Sequence, residues 1–93
     1  MYQGLRKITD IKPKPHYRRY VFGSAVYSDA PADIDIAIVY DENNISVEDA
    51  VEYRREIRKL LYELFSMNID IILLSQKEEE EMCFLKNAKH FQF

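Results

Sequence analysis

Hydrophobic and polar positions divide the chain into three short apolar runs and two helical stripes. The run Ile34-Asp35-Ile36-Ala37-Ile38-Val39-Tyr40 predicts a strand. Side chains alternate along a strand, so Ile34, Ile36, Ile38 and Tyr40 share one face, with Asp33, Asp35, Ala37 and Val39 on the other. Tyr17–Phe22 is aromatic and β-branched and predicts a second strand. Ile69–Leu74 predicts a third, apolar on both faces after Asp70 as in a covered sheet. Val47, Ala50, Val51, Ile57, Leu61, Leu64 and Phe65 recur at helical spacing, and Ser46 with Asp49 caps that helix, which should reach about residue 65. Ser75 and Glu78 form a second capping box and predict a helix over 76–88. The acids Glu78–Glu81 suit the positive end of its dipole and read as structural. Residues 3–9 predict one or two helical turns, Pro13 and Pro15 enforce extended backbone, and residues 23–32 read as a loop.

A strand–helix–strand unit over residues 33–74 makes its two strands parallel, with a right-handed crossover. Asp35 and Asp70 both stand near the start of their strands, so they should be neighbours. The strand ending at Phe22 delivers its loop to that same end only if it runs antiparallel. The expected fold class is α+β: a small mixed β-sheet with flanking helices in a single domain, residues 1–93, of which 1–16 form a basic N-terminal arm.

Charge and composition narrow the function classes. The net charge of −3 divides into +5 over residues 1–20, where Arg6, Lys7, Lys12, Lys14, Arg18 and Arg19 face Asp10 alone, and −8 over the rest. An acidic body argues against nucleic-acid backbones as a partner, since those need basic surface. The arm's bland reading is a solvated, charged segment. One cysteine, Cys83, excludes an internal disulfide framework and fits a reducing compartment. No apolar run approaches the ~20 residues of a membrane span, so the expectation is a cytoplasmic protein without a membrane partner.

Candidate chemistry sits where the strands begin. Asp33 and Asp35 point the same way, and Asp70 should join them. Two unit charges about 4 Å apart repel by roughly 4 kcal/mol at an effective dielectric of 20. Such crowding is tolerated mainly where a divalent cation binds, and hard ions such as Mg²⁺ choose carboxylates together with substrate phosphates. Two such ions can hold a triphosphate, activate a hydroxyl and stabilise the leaving pyrophosphate. Gly23 lets backbone approach a phosphate closely, and Ser24 offers a hydroxyl and an amide.

This ordered set, Gly23-Ser24, Asp33-Ile34-Asp35 and Asp70, resembles the nucleotidyltransferase superfamily with the DNA polymerase beta-like fold, and within it the minimal nucleotidyltransferases (MNT). The resemblance covers roughly residues 17–76. It implies transfer of a nucleoside monophosphate, AMP from ATP, to an acceptor hydroxyl. It also implies that Asp33, Asp35 and Asp70 are catalytic and metal-binding, that Gly23 and Ser24 bind the nucleotide, and that Mg²⁺ occupies a two-metal site. Minimal members resemble antitoxins that act on a HEPN-type toxin. A chain of this length is expected to borrow acceptor binding from such a partner or from a homodimer. Two features depart from the family pattern: only eight residues separate Ser24 from Asp33, and the loop holds Ala25-Val26-Tyr27-Ser28-Asp29 where an arginine and a glycine are usual. Positive charge for a triphosphate must then come from metal, from Arg18 or Arg19, or from a partner. These departures sustain an alternative, a catalytically weak or inactive binding module that neutralises its partner by occlusion.

The remaining residues have plainer readings. His16 and His90 read as surface histidines and Cys83 as a small core residue of the last helix. Arg54 and Arg58 fall within the apolar arc of the long helix, as snorkelling stems or as partners for an acidic surface. Tyr27 is placed to stack on a base.

Overall fold

The computed structural model describes residues 1–93. After a 3-10 helix at Gln3–Asp10 come β1 (Tyr17–Phe22), α1 (Ser24–Tyr27), β2 (Asp33–Tyr40), α2 (Val47–Phe65), β3 (Asn68–Ser75), α3 (Gln76–Met82), α4 (Phe84–Asn87) and β4 (His90–Gln92). The sheet order is β3-β2-β1-β4. β2 and β3 are parallel, and β1 is antiparallel to both β2 and β4. The mixed sheet with flanking helices is the α+β arrangement that the alternation and the crossover argument require. No helix is long and apolar enough to cross a membrane.

The main core lies between one sheet face, α2 and the 3-10 helix. Ile34, Ile36 and Ile38 meet Ile57 and Leu61 of α2, with Leu5 and Ile8 closing one side. Burying those two side chains ties residues 1–16 to the domain, so the basic segment is not a free solvated arm. Arg19 fastens it further. Its buried guanidinium donates from Nε to the Phe93 carbonyl and from Nη2 to the Ile11 carbonyl, both at 3.1 Å. The opposite sheet face carries a smaller cluster, Tyr20, Ala37 and Val39 under Phe84 and Leu85.

Both expected helix starts are present. Ser46 Oγ accepts from the Asp49 amide, and Ser75 with Glu78 forms a complete capping box. Four local expectations are corrected. The helix over 76–88 breaks at Cys83, which adopts a left-handed conformation (φ 51°) and swings Phe84 and Leu85 onto the second face. Cys83 is accordingly exposed rather than a core residue. On α2, Val47 is exposed, whereas Tyr53 is buried and stacks on Tyr17 at 4.1 Å between centroids. β3 proves to be an edge strand, leaving Ile72 uncovered, because the second-face helix packs over β1 and β2. A short fourth strand closes the other edge.

Candidate active site

The end of the sheet where β2 and β3 begin gathers the five sequence-selected residues. Register pairs Asp35 with Asp70 on adjacent parallel strands, and Asp33 with Asn68. Residues in register share a face, and neighbouring strands lie about 4.8 Å apart, so Asp35 and Asp70 stand side by side with Asp33 one step away on the same face. Across the other edge of β2, Phe22 pairs with Asp35, which brings Gly23 immediately beside that carboxylate.

Gly23 could be no other residue without cost. Its backbone (φ 72°, ψ −151°) lies in a region that is essentially glycine-only. A Cβ there would also overlap Asp35 Oδ2 and lie 3.1 Å from Asp35 Cγ. This conformation ends β1 and turns the chain directly into the single helical turn α1. Ser24 opens that turn, exposed, with its hydroxyl 3.5 Å from the Asp33 carbonyl, a contact long enough to yield readily to a better acceptor.

The electrostatics follow from this placement. Partial burial raises the Asp35 pKa first, then the charge of Asp70, then that of Asp33, so both neighbours act on it. No protein group donates a hydrogen bond to the carboxylate of Asp33 or Asp35, and Asp70 has only a 3.5 Å contact from Asn68 Nδ2. Carboxylate oxygens without donors, crowded by like charge, suit a hard divalent cation. The side chains do not close into a finished ligand set, for no three His, Cys, Asp or Glu side chains are grouped to hold a metal ion. Mg²⁺ sites commonly take only one or two carboxylates and fill the rest with water and substrate phosphate, so the donor set still fits such an ion.

Of the cations considered for a triphosphate, Arg19 is unavailable. It lies on the α2 face with Tyr17, opposite Asp35, and is committed to backbone carbonyls. Arg18 shares the Asp35 face but pairs with Val39, four residues away or about 13 Å along the strand, and donates to the Tyr20 hydroxyl. Another cation, not singled out from the sequence, lies beside the helical turn that Ser24 opens: Lys89 Nζ is 5.7 Å from the centre of the Tyr27 ring. Only the return of β4 along β1 brings it there, and three residues make a strand too short to read from sequence pattern. His16 is exposed as expected. His90 is half-buried instead, its ring edge-on to Tyr20.

Comparison with known protein families finds a match over most of the chain. The family model described as "Polymerase beta, Nucleotidyltransferase" matches residues 6–89, which include all five site positions and every element from β1 to α4. No curated protein matches the chain.

Proposed function

Because this chain belongs to the polymerase beta nucleotidyltransferase family, we propose that it transfers AMP from ATP to a hydroxyl on a partner protein, as the antitoxin of a HEPN/MNT pair does. General nucleotidyl transfer is the chemistry of the family; the nucleotide, the acceptor and the toxin–antitoxin role are our reading. The observation that carries it is the setting of Asp35, wedged between a glycine-only turn and a second aspartate, with no donor to relieve its charge.

Each residue then has a role. Asp33 and Asp35 would hold Mg²⁺, with Asp70 completing the set. Such an ion, when bound, would offset the triphosphate's charge and make the acceptor hydroxyl easier to deprotonate. Gly23 leaves the backbone open to phosphate oxygens, and Ser24 donates its hydroxyl to them. Asp70, the most exposed of the three, accepts the acceptor's proton on a carboxylate oxygen. The freed oxygen attacks the α-phosphorus, and the bond to the pyrophosphate oxygen breaks. An acidic body carries little of the basic surface that a nucleic-acid acceptor requires, which favours a protein acceptor.

The test is incubation with ATP labelled on its α-phosphate, Mg²⁺ and a purified HEPN-type partner. Label recovered on the partner supports transfer. A stable complex that never takes up label would replace this reading with the occlusion module. The lack of a closed three-carboxylate group and the arginine-free loop are the observations on that side.

A further inference from the structure

A triphosphate beside Asp33, Asp35 and Asp70 needs positive charge from the protein as well as from metal, and residues 25–32 contain no lysine or arginine. The fold supplies one from the other end of the chain. β4 pairs with β1 as Gln92 with Tyr20, Phe91 with Val21 and His90 with Phe22. Lys89 immediately precedes β4, next to the His90–Phe22 pair at the end where β1 gives way to the Gly23 turn. Several contacts fix this return. Phe84 meets Phe22 edge-on at 5.0 Å, and the His90 ring meets Tyr20 edge-on at 5.2 Å while its Nδ1 lies 2.7 Å from the Ala88 carbonyl. The Lys89 ammonium lies against Tyr27, within the ~6 Å at which a cation is drawn to an aromatic face. Tyr27 is exposed and three residues beyond Ser24 in the same helical turn, so the two share a side.

We propose that Lys89, steadied by the Tyr27 ring, is the phosphate-binding cation of this site and takes the place of the arginine missing from the 25–32 loop. The proposal rests on the nucleotide-binding reading above. A lysine suits the position because its compact ammonium on a flexible stem can follow a phosphate as it is bound and released. It also explains how a shortened, arginine-free loop remains compatible with a nucleoside triphosphate.

The test measures binding of Mg²⁺–ATP and of inorganic tripolyphosphate to the full chain by calorimetry, independently of any acceptor. Wild type should bind both. Lys89→Met should weaken both by about tenfold or more, as expected for a lost charge-assisted contact, with an unchanged melting temperature because the side chain is exposed. Lys89→Arg should restore most of the affinity, and Lys86→Met, an exposed α4 lysine, should bind like wild type. If wild type binds and Lys89→Met binds equally well, the Lys89 assignment is overturned while the nucleotide site stands. If wild type binds neither ligand, the nucleotide reading falls and the assignment falls with it.

Discussion

β2 and β3 run side by side over eight paired positions, and both ends of this pair are rich in acids that behave in opposite ways. At the end near Tyr40 and Ser75, Asp41, Glu42 and Glu78 each have a donor. Asp41 accepts from the Asn44 side chain at 2.7 Å and the Asn43 amide at 3.0 Å, Glu42 from the Lys77 amide, and Glu78 from the Ser75 amide. The Asn44 bond, then the Asn43 amide, holds the Asp41 carboxyl below its ordinary range. At the Asp35 end, burial and two neighbouring carboxylates push the pKa upward instead, and nothing donates to Asp33 or Asp35. The first group of acids completes the protein's own turns and caps. The second receives no donor from the protein, and it is there that our proposal places the metal and the nucleotide.

The sharpest way to break this contrast is Asp35→Asn. Nucleotidyl transfer should fall by more than about 100-fold, beyond the loss typical of groups that merely support a metal site. The melting temperature should hold or rise, since a repelling charge is gone. A clear fall in melting temperature would mean that Asp35 is structural, like the acids at the far end. Next in size, Gly23→Ala should cost about 1–3 kcal/mol of stability through its backbone conformation and should weaken ATP binding by displacing Asp35. Urea unfolding and ATP titration of the same variant report both effects. Ser75→Ala sharpens the other side: it should cost about 1 kcal/mol through the lost cap, yet ATP affinity should match wild type.

The smallest effect is a difference in pH dependence. Asp35 has a raised folded pKa, so the native state holds its proton longer than the unfolded chain does. Its contribution to stability therefore declines as pH rises from the ordinary carboxylate value through the raised one. Asp41 has a lowered folded pKa, so its stabilisation is present above the ordinary value and is lost as pH falls through the lowered one. Urea midpoints measured across the acid range without metal should show Asp35→Asn removing the decline and Asp41→Asn removing the rise. Identical profiles for the two variants would erase the distinction between the ends.

Much of this was legible residue by residue. The alternation through Ile34–Tyr40, the caps at Ser46 and Ser75, and the Gly23-Ser24, Asp33, Asp35 and Asp70 pattern are local signals, each depending on a few adjacent side chains and backbone angles. The sequence also fixed which strands run parallel, because a strand–helix–strand unit leaves the chain little alternative.

What the sequence by itself determined is β1, β2, α2, β3, the start of α3 and the gathering of carboxylates where β2 and β3 begin. The tertiary structure alone decided which side chains are left over: Arg19 turned to the α2 face, Ile72 exposed on an edge strand, Cys83 twisted out of a helix, and Lys89 carried back beside Tyr27. The physical reason is that local propensity sets φ, ψ and period, whereas a side chain's neighbours depend on contacts between residues far apart in the chain. His90 against Phe22 is such a contact, and no periodic pattern encodes it.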